Sequence, residues 1–106
     1  MTTLVSTKNK YKDRAYMKWA LDKFPCYVCS IMGFDNWSEQ RQFHHLQGEF
    51  RLGMGIRDDR VGVVLCWSHH NELHTKTGER NFWSDVGVNP KIMADEMYQE
   101  YTERNK

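Results

Sequence analysis

Leu65-Cys66-Trp67-Ser68-His69-His70-Asn71-Glu72-Leu73-His74 is the stretch that organises this sequence, because it sets one thiol and three imidazoles within residues 66–74. Cys66 and His69 make a Cys-x-x-His knuckle. His70 and His74 are four residues apart, so on a helix they project from one face within reach of a single ion. Ser68 is a candidate cap at the start of that helix, and Gly78 is a stop signal.

Working outward, all three cysteines and all five histidines lie within residues 26–74, in three clusters: Cys26 with Cys29, His44 with His45, and the stretch from Cys66 to His74. The spacings divide them into two sites. Cys26, Cys29, Cys66 and His69 offer three thiolates and one imidazole, a closed tetrahedral set suited to structural zinc. A redox role for Cys26 and Cys29 would need a surrounding strand and helix pattern that this chain lacks. His70 and His74 do not belong to that completed set. A third histidine from the 44/45 pair would give three ligands and leave positions open for water or substrate oxygen, as catalytic metals require. The remaining histidine would be placed as a general base. Adjacent residues of a regular strand point to opposite faces, so His44 and His45 share one site only if the strand bends or twists there. Spacing alone leaves their roles interchangeable.

The rest of the chain supplies a frame. Tyr16, Met17, Ala20, Leu21 and Phe24 lie on one helical face that Pro25 closes. A turn-prone stretch runs from Ser30 to Glu39, and strands are predicted at Gln42 to Leu46 and Val61 to Leu65. Between them, residues 47–60 form a long loop containing Gly48, Gly53 and Gly55. Asn81 to Asn89 reads as a connector bearing Phe82 and Trp83, and a last helix begins at Pro90 and buries Ala94, Met97, Tyr98 and Tyr101. Residues 1–10 read as a flexible polar arm, and residues 11–106 as one domain. The expected class is α+β.

Composition narrows the function. At 106 residues with 40% hydrophobic content, the chain has length for one domain and a modest core, which a metal would help to hold. The net charge of +1 does not by itself announce a nucleic-acid binder, although residues 1–25 carry six Lys/Arg against two Asp. No apolar run approaches the roughly 20 residues of a membrane helix. Met1 to Lys10 lacks the apolar core of a secretory signal, so an intracellular setting is expected and metal ligation outranks disulfides for the cysteines.

A strand with His-His, a long loop, a second strand and a helix with His-x-x-x-His resembles the ββα-metal core of the HNH endonucleases. More closely, Pro25-Cys26 with Cys29, His44-His45-Leu46, Gly53-Met54-Gly55, the stretch from Leu65 to His74 and Phe82-Trp83 are similar to the phage Ref-like recombination-enhancement nucleases, over residues 16–98. Val64-Leu65-Cys66 stands where that family often has Pro-Leu-Cys, and Arg57 stands near a family lysine.

The resemblance implies a zinc-stabilised ββα-metal core with flanking N- and C-terminal helices. It makes His44, His70 and His74 ligands of one catalytic divalent ion and His45 the base. Asp59, with Asp58 second, is the candidate for the polar residue that orients the base; a plain turn aspartate is the alternative. Zinc, nickel or manganese suit three imidazoles better than magnesium does. Arg51, Arg57, Arg60 and Lys76 lie where DNA phosphates would be contacted, whereas Trp37, Trp67 and Trp83 are expected to pack. The implied activity is metal-dependent hydrolysis of DNA phosphodiester bonds, nicking or weakly specific. DNA and a recombination or replication protein are the implied partners, in the cytoplasm of a bacterial host that carries the phage. The rival readings are a zinc-stabilised nucleic-acid-binding accessory protein without catalytic activity and a hydrolase of some other phosphodiester.

Overall fold

The computed structural model describes residues 12–47 and 58–104. The arm expected over residues 1–10 and most of the glycine-bearing loop, including Arg51 and Arg57, lie outside the described residues. Helix α1 spans Arg14–Lys23. Asp13 caps it by accepting the Tyr16 backbone N–H at 3.0 Å, and Phe24 leaves the helix in extended geometry ahead of Pro25. Of the apolar face predicted there, Tyr16 and Ala20 are buried, while Leu21 and Phe24 pack half-buried on the core. A short helix α2, Tyr27–Ile31, follows directly on Cys26.

Strands β1, Gln42–His45, and β2, Gly62–Leu65, pair antiparallel with Gln42 opposite Leu65 and His45 opposite Gly62. Side chains alternate along β1. Phe43 turns toward α1, its ring centroid 5.9 Å from that of Tyr16 and 5.3 Å from that of His45, whereas Gln42 and His44 turn toward the helix after β2. Strand β2 is buried along its whole length, as a strand covered on both faces must be. Gly62 is required by close approach. A Cβ there would lie 2.3 Å from Phe43 Cε1 and 2.7 Å from the His44 carbonyl oxygen.

Helix α3, Trp67–Glu72, starts as β2 ends. Cys66, not Ser68, occupies the cap position, so the predicted cap falls inside the first turn. The helix runs on through a π-helical turn, Leu73–Thr77, which Gly78 ends at φ 80°, a value that favours glycine. The expected connector after it is instead a helix, α4, Glu79–Val86, which buries Phe82 and Trp83 and stops at Gly87. Phe82, Trp83 and Val86 share one face, but the helix is only eight residues long and carries no other apolar position to extend that pattern. Helix α5, Pro90–Glu103, opens as expected on Pro90, with Asn89 capping the Lys91 N–H at 3.0 Å. Ala94 and Met97 are buried, but Tyr98 and Tyr101 are only half-buried, each with its ring 5.0 Å from Tyr16. The result is a small α+β fold: a two-stranded hairpin followed by helices, with α1 and α5 packed on it. Among the described residues, no helix is long and apolar enough to cross a membrane.

Candidate metal centres

Cys26, Cys29, Cys66 and His69 come together from three separate elements. Cys26 precedes α2 and its sulfur accepts the Cys29 N–H at 3.5 Å; Cys66 ends the hairpin and His69 lies in α3. Sulfur and nitrogen ligands on one zinc ion would lie about 3.5 Å apart, and two sulfurs about 3.8 Å apart. The His69 Nδ1 lies 3.3 Å from Cys66 Sγ, 3.6 Å from Cys29 Sγ and 3.7 Å from Cys26 Sγ, and the Cys29 and Cys66 sulfurs are 3.9 Å apart. The donor set therefore fits, and the buried cluster is consistent with a structural zinc. Burial pushes the Cys26 thiol up to about 12, so a cation entering this cluster displaces a proton. Asn36 supports the wall by turning its Nδ2 to Cys29 Sγ at 3.6 Å.

The second group is His44, His70 and His74, whose ligand atoms all lie within 4.8 Å of one another. His44 is buried at 2% exposure in β1, while His70 and His74 stand one turn apart with their Nε2 atoms separated by 3.0 Å. That spacing is near the roughly 3.3 Å expected of two imidazoles on one ion. Burial, followed by the neighbouring His44 and His74, holds His70 down to about 4. It is neutral at pH 7 and its lone pair is available. These three residues form a second group competent to hold a metal.

Two neighbours of this group were invisible to sequence spacing. Glu79 sets both carboxylate oxygens 3.0 and 3.1 Å from His44 Nε2, and Gln42 Oε1 bonds His70 Nδ1. Both contacts join residues far apart in the chain, so no local pattern announces them. The Glu79 carboxylate also accepts the indole N–H of Trp83 at 2.7 Å.

His45 turns away from this group, to the opposite side of β1, and its Nε2 meets Asp59 Oδ1 at 2.6 Å. Asp58, the other aspartate singled out from sequence, pairs with Arg60 through bonds of 2.8 and 3.0 Å. Burial pushes the Asp58 carboxyl upward, but Arg60 and His45 outweigh it and leave the group below its ordinary range. Of the four basic residues singled out for phosphate, Arg60 is thus engaged by Asp58, Lys76 is exposed in the π-helical turn, and Arg51 and Arg57 lie outside the described residues. Trp83 packs in the core at 1% exposure, whereas Trp37 and Trp67 are about half exposed and do not pack as expected. Arg41 instead lies over the Trp37 ring, 5.1 Å from its centroid.

Fold and site together define a small α+β protein with a ββα-like arrangement and a Cys3His cluster. Over 71 residues the chain is 34% identical to the uncharacterized protein YdfU of Escherichia coli (strain K12). The match takes in 66% of this chain but 18% of that protein, so the chain spans less than a fifth of its relative's length. No protein-family profile matches, and no solved structure is significantly similar.

Proposed function

We propose that the protein is a metal-dependent endonuclease of the HNH type that hydrolyses DNA phosphodiester bonds, with zinc in the Cys26, Cys29, Cys66 and His69 cluster. The observation that carries this reading is the convergence of His44 with His70 and His74 across the junction of hairpin and helix; the next residue, His45, lies on the opposite side of β1 and is paired with a carboxylate. A divalent ion held by the three imidazoles would neutralise charge on the scissile phosphate and stabilise the departing 3′ oxygen. His45 takes a proton from the attacking water, and Asp59, 2.6 Å from its Nε2, holds the imidazole in orientation. The neutral His70 needs no deprotonation to act as a ligand. Three nitrogen donors favour zinc, nickel or manganese over magnesium. Arg51, Arg57, Arg60 and Lys76 are proposed to meet backbone phosphates, Arg60 by exchanging its bond to Asp58 for one to the nucleic acid. A role in DNA recombination or processing belongs to the same proposal.

The deciding experiment measures metal content and plasmid cleavage together, with zinc, nickel, manganese and magnesium, for the wild-type protein and for His45→Ala. Cleavage should fall by about a hundred- to ten-thousandfold on loss of the base, while two ions and DNA binding persist. Cleavage by the variant at the wild-type rate overturns the assignment. No cleavage by the wild-type protein with any of the four metals, with the fold intact, would point instead to a nucleic-acid-binding accessory role.

A further inference from the structure

We propose that Glu79 is a positioning residue for the histidine centre, holding His44 as the Nε2–H tautomer so that Nδ1 is the atom presented to the metal. The inference rests on the centre described under the proposed function and assigns it an outer layer.

An ionised carboxylate can only accept, so an imidazole nitrogen lying 3.0 and 3.1 Å from its two oxygens must carry the hydrogen. His44 Nε2 is then spent on Glu79, and Nδ1 alone keeps a lone pair. The same logic applies to His70, whose Nδ1 is bonded to Gln42 Oε1, leaving Nε2 beside His74 Nε2. Glu79 itself is held from behind. Gly78, at φ 80°, starts α4 so that its first residue meets β1, and the buried Trp83 one turn further along donates to the carboxylate at 2.7 Å. The Glu79 side chain is only 14% exposed, and a buried carboxylate is costly unless positive charge lies nearby. A cation on His44, His70 and His74 would meet that need. Outer-layer partners of this kind fix ring orientation and raise ligand basicity.

The test is a cobalt(II) titration of the full chain with zinc already in the cysteine cluster, read by absorption and by ion count. Thiolate-to-cobalt bands would report any exchange into the cysteine cluster and separate the two centres. Glu79→Ala should weaken binding of the second ion by about 10- to 100-fold, while Glu79→Gln, which keeps an acceptor oxygen, should restore part of the loss. Long-range proton–nitrogen NMR of the zinc-loaded wild-type protein before cobalt is added should show His44 protonated on Nε2. Should Glu79→Ala fail to fold, Glu79→Gln and Trp83→Phe carry the test through the same affinity readout. His74→Ala is the control. If it loses the second ion while Glu79→Ala binds cobalt like the wild type, the role of Glu79 is overturned and the centre stands. If His74→Ala keeps the second ion, the centre itself falls and Glu79's role with it. Protonation of His44 on Nδ1 also overturns the proposal.

Discussion

Asp59 is tied at both oxygens: Oδ1 lies 2.6 Å from His45 Nε2, and Oδ2 accepts the backbone N–H of Asp13 at 2.6 Å. The second bond reaches the cap residue of α1, so the helix that packs on the hairpin also fixes the partner of the histidine. A turn aspartate on the surface would not be held this way; Asp59 is buried.

Asp59→Asn keeps the shape but removes the carboxylate that orients His45. Cleavage should slow, by no more than about the 10²- to 10⁴-fold that loss of the base would cause, with two ions still bound. Single-turnover nicking beside metal analysis checks this, and an unchanged rate would remove Asp59 from the mechanism.

Zinc in the cysteine cluster should be inseparable from folding. Filling such a site contributes about 10–16 kcal/mol of apparent folding free energy in small zinc domains, more than a domain of this size usually has in reserve. Cys66→Ser, or strong chelation, should therefore abolish the cooperative thermal transition seen by circular dichroism. A sharp transition surviving in the metal-free protein would contradict the structural role.

Gly62→Ala drives a methyl group into Phe43 and the His44 carbonyl. Overpacking of this kind typically costs about 1–3 kcal/mol, and here the displaced backbone belongs to a candidate metal ligand. Urea unfolding should show the loss, and binding of the second ion should weaken with it. Wild-type stability would mean that the two strands separate more easily than their packing suggests.

Tyr16 provides a pH-dependent test outside both centres. Burial, then Tyr98 and Asp13, raise its phenol well above the ordinary value of 10.0. A group whose folded pKa is raised keeps its full stabilisation below the unfolded value and loses it as pH climbs beyond. Thermal stability should thus decline above about pH 10 in part through Tyr16, and Tyr16→Phe should remove that part. At pH 7 the same substitution should change stability by no more than about 1 kcal/mol in the unfavourable direction, because the Tyr16 hydroxyl has no hydrogen-bond partner among the described residues. A larger loss would reveal a partner.

The two groups of metal-competent side chains were legible because knuckles and i, i+4 pairs are local, and local spacing becomes geometry as soon as the helix forms. Helices α1 and α5 were legible through Pro25 and Pro90, which mark an end and a beginning. His44 and His45 were expected to share one site, which a regular strand allows only at a bend; instead they part to opposite sides of β1, and spacing could not say which faces the helix. That choice depends on Phe43 packing against Tyr16 and Gly62. Helix α4 and Glu79 were missed for one reason. Phe82, Trp83 and Val86 do share one helical face, but α4 spans eight residues and offers only this single short set of apolar positions, and without α4 nothing brings Glu79 back to a strand 35 residues earlier.

The run from Trp67 to Thr77 carries His69 to the three cysteine sulfurs and His70 with His74 to His44. Each added residue turns a helix by about 100°, so a single insertion between Cys66 and His74 would swing ligands out of one group or both. Substitution at outward positions such as Ser68 or Asn71 leaves that alignment alone. Variation in this segment can therefore change its chemistry residue by residue, but not its length.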